Sequence, residues 1–172
     1  MRVMRMLKHK GSAIVLQEVP DEVSLAINIS GCTHKCPGCH SQYLWDDDGD
    51  SAIVEMGKMI DRYLPYLSCI CFMGGDQDQN ELIVMCKIAH AEHLKTCLYT
   101  GYNSMSDLIK PLLEELDYVK IGSFIQEKGP LTSPSTNQRM YKKNVNGGWT
   151  DITDRFWTKY AEKKEASSSS QN

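Results

Sequence analysis

Three cysteines, Cys32, Cys36 and Cys39, fall close together in the segment Gly31-Cys32-Thr33-His34-Lys35-Cys36-Pro37-Gly38-Cys39. Thiolates are soft ligands that suit iron–sulfur clusters, zinc or copper(I). The spacing C-x3-C-x2-C lets one loop wrap a single metal centre, and Gly31, Pro37 and Gly38 supply the tight turns that wrapping needs. A cubane ordinarily takes four cysteine ligands. Three would leave one iron without a cysteine, and by analogy with catalytic zinc an open position is where substrate binds. The alternative is structural zinc, with His34 or His40 as the fourth ligand. A zinc ribbon brings its second ligand pair from a distant knuckle, and no such pair is obvious in this sequence. The other four of the seven cysteines, Cys69, Cys71, Cys86 and Cys97, sit singly or in alternation within apolar segments, which reads as core packing.

The cysteine loop needs a frame, and the periodicity predicts one. Val23–Ser30 alternates apolar and polar residues and runs into Gly31, a strand followed by a loop. Ser51–Leu67 and Gln79–Leu94 carry apolar residues at helical spacing, with Ser51 a candidate N-cap. Ser68–Met73, Thr96–Thr100 and Tyr118–Ile121 read as strands, each followed by glycine. Ser104–Leu116 reads as a helix that Pro111 bends or divides. This βα alternation implies an α/β fold, a partial (β/α) barrel with a mainly parallel sheet. Ligand sites of such folds collect at the carboxyl ends of the strands. Gly74-Gly75-Asp76 and Thr100-Gly101 stand there, although either could be a plain turn. Farther on, Arg139–Val145, Asn146-Gly147-Gly148 and Trp149–Ile152 predict a hairpin. We read one domain over residues 1–160, with the cluster loop at 31–40, βα units over about 23–122 and an extension over 123–160. The polar, repetitive Ala161–Asn172 reads as a disordered tail.

Composition narrows the functions. The net charge of -3 argues against nucleic-acid binding, which leaves a basic footprint. No apolar run approaches the roughly 20 residues of a membrane helix. The start of the chain lacks the pattern of a secretory signal, so a cytoplasmic protein without a disulfide framework is expected.

The C-x3-C-x2-C loop after the first strand resembles the radical S-adenosylmethionine (SAM) superfamily. Gly31-Cys32, Cys36-Pro37-Gly38-Cys39-His40-Ser41 and Leu44-Trp45 are similar to the activating proteins of anaerobic (class III) ribonucleoside-triphosphate reductase. Many superfamily members carry an aromatic residue where this chain has Gly38. The resemblance extends to Met73-Gly74-Gly75-Asp76, to Tyr99-Thr100-Gly101-Tyr102 and to Thr136-Asn137-Gln138-Arg139. It implies a 4Fe–4S cluster on Cys32, Cys36 and Cys39, and SAM held near Gly74, Gly75, Asp76, Thr100 and Gly101. Its activity would be one-electron cleavage of SAM to a 5′-deoxyadenosyl radical, which takes a hydrogen from a glycine of the reductase. No acid–base residue is required for that step, and a donor such as flavodoxin or ferredoxin is implied. An activase of pyruvate formate-lyase or a related enzyme is an alternative, against which Gly38 and the short chain argue. A non-catalytic zinc module is the alternative from another class. Where many relatives carry Val-Asp-Gly, this chain has Lys120-Ile121-Gly122, and Lys120 reads as a solvated lysine or as a partner of the SAM carboxylate. His34 and His40 read as exposed loop residues, with tuning of the cluster through contacts around its ligands as the alternative. The segment Ser123–Ile152 is expected to cover the site or to dock the reductase.

Overall fold

The computed structural model of the protein describes residues 6–157. Along them run β1 (Lys8–Val15), β2 (Ser24–Ile29), β3 (Asp50–Ser51), α1 (Ala52–Tyr63), β4 (Cys69–Met73) and α2 (Gln79–Ala91). β5 (Lys95–Tyr99), α3 (Lys110–Glu115), β6 (Tyr118–Ile121), β7 (Arg139–Lys143) and β8 (Trp149–Asp151) follow. All eight strands join one sheet in the order β3-β1-β2-β4-β5-β6-β7-β8.

The sheet is mixed, which corrects the expectation of a mainly parallel one. β2, β4, β5 and β6 are parallel neighbours, while β1–β2, β1–β3, β6–β7 and β7–β8 pair antiparallel. Connection chemistry decides this. A parallel pair needs a crossover, usually a helix. α1, α2 and α3 lie between the strands that pair in parallel, whereas β7 and β8 are joined by the Asn144–Gly148 turn. The repeated βα unit therefore accounts for the four central strands and not for the flanks. β1 escaped the sequence reading because Gly11, with φ of +104°, interrupts its alternation and the register shifts between His9 and Ser12. The tail expected at 161–172 lies outside the described residues.

Proline sets two helix boundaries. Ser104–Leu116 is not one bent helix. A 3₁₀ turn at Met105–Asp107 precedes α3, and Pro111 stands in the first turn of α3. Proline has no N–H to give and its φ is already helical, so it begins a helix more readily than it continues one. Pro65 likewise stands at the start of the 3₁₀ turn Leu64–Tyr66 that ends α1 short of the predicted Leu67.

Alternation along the strands divides the core into two faces. Ile70 and Phe72 of β4, with Leu25, Ile27, Leu98 and Val119, pack on Met56 and Ile60 of α1, Met85 and Ala89 of α2 and Leu112 of α3. Each such fully buried side chain contributes about 1.5–3 kcal/mol, so this helix-covered face supplies most of the apolar burial. Cys69, Cys71, Cys97, Tyr118 and Met140 face the other way, against Val19, Leu131 and Phe156. Burial pushes the Cys86 thiol up to about 12 and the Cys69 and Cys97 thiols well up too, which leaves them unreactive, as core cysteines should be. Among the described residues no helix is long and apolar enough to cross a membrane.

The amino ends of the parallel strands are tied by one carboxylate. Glu22, with its side chain 4% exposed, accepts hydrogen bonds from Ser68 Oγ (2.6 Å) and Tyr118 Oη (2.8 Å) and pairs with Lys95. Replacing it takes the acceptor from the buried Tyr118 hydroxyl and the half-buried Ser68 hydroxyl together. Glu22→Ala is expected to cost about 2–3 kcal/mol, read by urea unfolding; a change below half a kilocalorie would mean that water replaces the carboxylate there.

Candidate metal centre

β2 carries the chain to the far end of the sheet, and backbone bonds close the base of the loop that follows. Gly31 N donates to Asp46 O (3.1 Å) and Cys32 N to Leu44 O (3.0 Å). Within the loop, Cys39 N donates to Cys36 O (3.1 Å), and Ser41 N donates to Cys39 Sγ (3.3 Å). Gly38 has φ of +74°, and a Cβ there would lie 2.8 Å from Gln126 Oε1. At that φ any side chain is strained, and a larger residue would also have to push the exposed Gln126 side chain aside.

All three loop cysteines are half-buried and open onto one cleft. The parallel strand ends form its floor. Met73, Gly74 and Asp76 come from β4, Tyr99, Thr100 and Gly101 from β5, and Lys120 and Gly122 from β6. Phe124 and Gln138 add a wall from the extension, and Phe124 also packs near the His40 ring at 5.5 Å. Of the residues expected around the site, Cys32, Cys36, Cys39, Gly74, Asp76, Thr100 and Gly101 thus meet in one place. Gly75 does not. Its missing side chain faces the core, where a Cβ would lie 2.9 Å from Ile29 Cδ1 and 3.0 Å from Leu82 Cδ2, at φ of +101°.

Three readings of single residues change. His34 is not an exposed loop residue: its ring is held by Asp76 and packed edge-on to Tyr102. Asp76 is buried, and its Oδ2 accepts from both His34 Nε2 (2.7 Å) and the Thr100 hydroxyl. Much of its accepting capacity is therefore spent within the protein. Lys120 is not solvated. It is 8% exposed, with Nζ donating to Gly122 O (3.0 Å) and Thr100 O (3.3 Å) and lying 5.7 Å from the Tyr99 ring centre. Burial lowers its pKa to about 8, opposed by the nearby Cys36 and Asp76. The period-two alternation that places Tyr118 on the second face places Lys120 there too, which was the available signal. Gln138 lies outside the expected site residues yet lines the cleft. It is buried in the turn before β7, and its side-chain amide donates to Gly122 O (3.2 Å).

The donor set fits an iron–sulfur cluster. Three soft thiols face one cleft, and Trp45, which lines it, keeps a buried indole N–H with no hydrogen-bond partner among the described residues. Among the described residues no three His, Cys, Asp or Glu side chains form a group placed to hold a single ion, which bears on zinc and on a cluster alike. His34, one candidate fourth ligand, is turned to Asp76. A family model described as 4Fe-4S single cluster domain matches residues 22–141, a span that contains the loop and the strands from β2 to most of β7. No curated protein and no solved structure matches the chain.

Lys120 gives a pH dependence with a definite sign. Below about 8 the buried ammonium is charged in both folded and unfolded chains, and its burial costs stability in full. Between about 8 and 10.5 the unfolded chain binds the proton that the folded one has released, so stability rises with pH. Without the cluster, Lys120→Met is expected to be more stable than the parent at pH 7 by about 1–3 kcal/mol and to lack that rise. Urea unfolding at both ends of the range checks it; a less stable variant at pH 7 would mean that the two carbonyl bonds outweigh the burial.

Proposed function

The chain belongs to the 4Fe-4S single cluster domain family, and on that premise we propose that it is a radical SAM activase for anaerobic ribonucleoside-triphosphate reductase. The observation that carries this reading is the sharing of one cleft by three thiols and the carboxyl ends of three parallel strands. Three thiols cannot complete the usual four-cysteine ligand set of a cubane, and the cleft they open onto continues along the strand ends to Lys120 and Gln138. When bound, the cluster and SAM supply the one-electron chemistry that ends in removal of a hydrogen from a glycine Cα of the reductase.

The protein's part is to hold, orient and shield. Cys32, Cys36 and Cys39 are the cluster ligands. Gly74 lines the cleft without a side chain, so that a ligand can approach the backbone. Lys120 is the cation in the cleft. Two of its three N–H groups go to the carbonyls of Thr100 and Gly122, which leaves one for the SAM carboxylate. Ile29, Leu44, Met73 and Phe124 give the cleft apolar walls that keep water from a reactive species. The cleft stays open on one side, which suits a substrate that must bring its own glycine on a loop.

The test is anaerobic. After reconstitution with iron and sulfide, the protein should hold about four irons per chain. With dithionite and SAM it should then form 5′-deoxyadenosine, and Cys36→Ala should abolish both iron uptake and product. Iron uptake without product would leave the family assignment standing and sink the SAM reading. With product established, incubation with the anaerobic reductase should yield a glycyl radical signal by electron paramagnetic resonance, and its absence would point to another glycyl-radical enzyme.

A further inference from the structure

We propose that His34 is a positioning residue that latches the cysteine loop to the carboxyl ends of β4 and β5, so that the loop and the cleft floor move as one unit. The proposal rests on the loop holding a cluster; it does not depend on SAM or on the identity of the target.

His34 lies midway between Cys32 and Cys36, so fixing its ring fixes both thiols relative to the sheet. The ring is fixed on three sides. Nε2 donates to Asp76 Oδ2 at 2.7 Å, with the histidine side chain 17% and the aspartate side chain 2% exposed. A hydrogen bond to a carboxylate is stronger than one between neutral groups and stronger again away from water. The same oxygen takes the Thr100 hydroxyl, whose own oxygen accepts Tyr102 N at 3.1 Å, so the latch reaches into the backbone after β5. Tyr102 then meets the imidazole edge-on, with ring centres 4.7 Å apart and planes at 87°. Gly101 closes the third side. A Cβ at that position would lie 2.5 Å from His34 Cγ and 2.7 Å from Cδ2, so only glycine leaves room for the ring.

This arrangement gives Gly101 and Asp76 a different task from direct ligand contact. Gly101 is bare because the histidine occupies the space beside it. Asp76 spends one oxygen on the two groups that join the loop to β5. A displacement of Thr100 or Asp76 on the cleft side must pull on His34 and through it on the cysteines. Two substitutions that share no atom, His34→Ala in the loop and Gly101→Ala after β5, should therefore produce the same defect.

The test compares the parent protein with His34→Ala, His34→Gln and Gly101→Ala, each reconstituted anaerobically with iron and sulfide. The readouts are the rate of iron loss to a chelator and the line shape of the dithionite-reduced cluster by electron paramagnetic resonance. His34→Ala and Gly101→Ala are expected to lose iron about tenfold faster or more, the effect of one charge-assisted hydrogen bond, and to share an altered line shape. His34→Gln keeps an N–H within reach of Asp76 and should restore most of the parent behaviour. Leu112→Ala, on the buried side of α3, lowers general stability and should leave both readouts unchanged. The proposal is overturned if His34→Ala and Gly101→Ala match the parent, if His34→Gln is no better than His34→Ala, or if Leu112→Ala speeds iron loss equally. A parent protein that takes up no iron would overturn the cluster reading and this proposal together; a parent that takes up iron separates the two.

Discussion

Adjacent residues of a strand point to opposite faces, and in a sheet covered on both sides each strand must satisfy two environments at once. In β4, β5 and β6 this constraint sorts the chain into a helix-facing set of large aliphatic and aromatic side chains and a second set of different chemistry. The second set runs Cys69, Cys71, Met73 along β4, Cys97, Tyr99 along β5 and Tyr118, Lys120 along β6. Its lower part is core. Its upper part, Met73, Tyr99 and Lys120, is the floor of the cleft on which the three loop thiols open. The site is thus the continuation of one face of the sheet past the point where the core ends.

Buried charge marks both ends of that face. At the amino ends of the strands Glu22 is matched by Ser68, Tyr118 and Lys95, and nothing in its surroundings asks for a ligand. At the carboxyl ends Asp76 and Lys120 are held by hydrogen bonds to a histidine, a threonine and two backbone carbonyls. Here burial opposes the charge on Lys120, and its pKa falls. The two buried charges at this end lie beside the cleft, whereas Glu22 lies in the core at the other.

The extension completes the enclosure. Gln126 sits against Gly38, Phe124 against His40, and Gln138 against Gly122, so residues after β6 bind the cysteine loop on one side and the floor on the other. A Cβ at Gly122 would lie 2.9 Å from Gln138 Cα, which shows how closely the turn before β7 approaches the end of β6. Such packing ties the antiparallel flank to the parallel centre. The cleft is therefore built by both kinds of strand pairing.

The sequence by itself determined the parts whose signals are local. The spacing of Cys32, Cys36 and Cys39 told of a soft metal centre, the apolar run of β4 told of a strand buried on both faces, and Asn146-Gly147-Gly148 told of the hairpin. Four apolar cysteines read as core and are core. Tertiary structure decided what depends on residues far apart in the chain. β1 is a strand because β2 lends it a partner, and its own residues, broken at Gly11, carry no clear alternation. The antiparallel flanks follow from which connections lack a helix. His34 and Lys120, read from sequence as solvent-facing, are drawn into the site because Asp76 lies 42 residues from His34 and Thr100 lies 20 residues from Lys120. A charged side chain is taken as exposed until a partner is known, and those partners come into reach only when β4, β5 and β6 lie side by side.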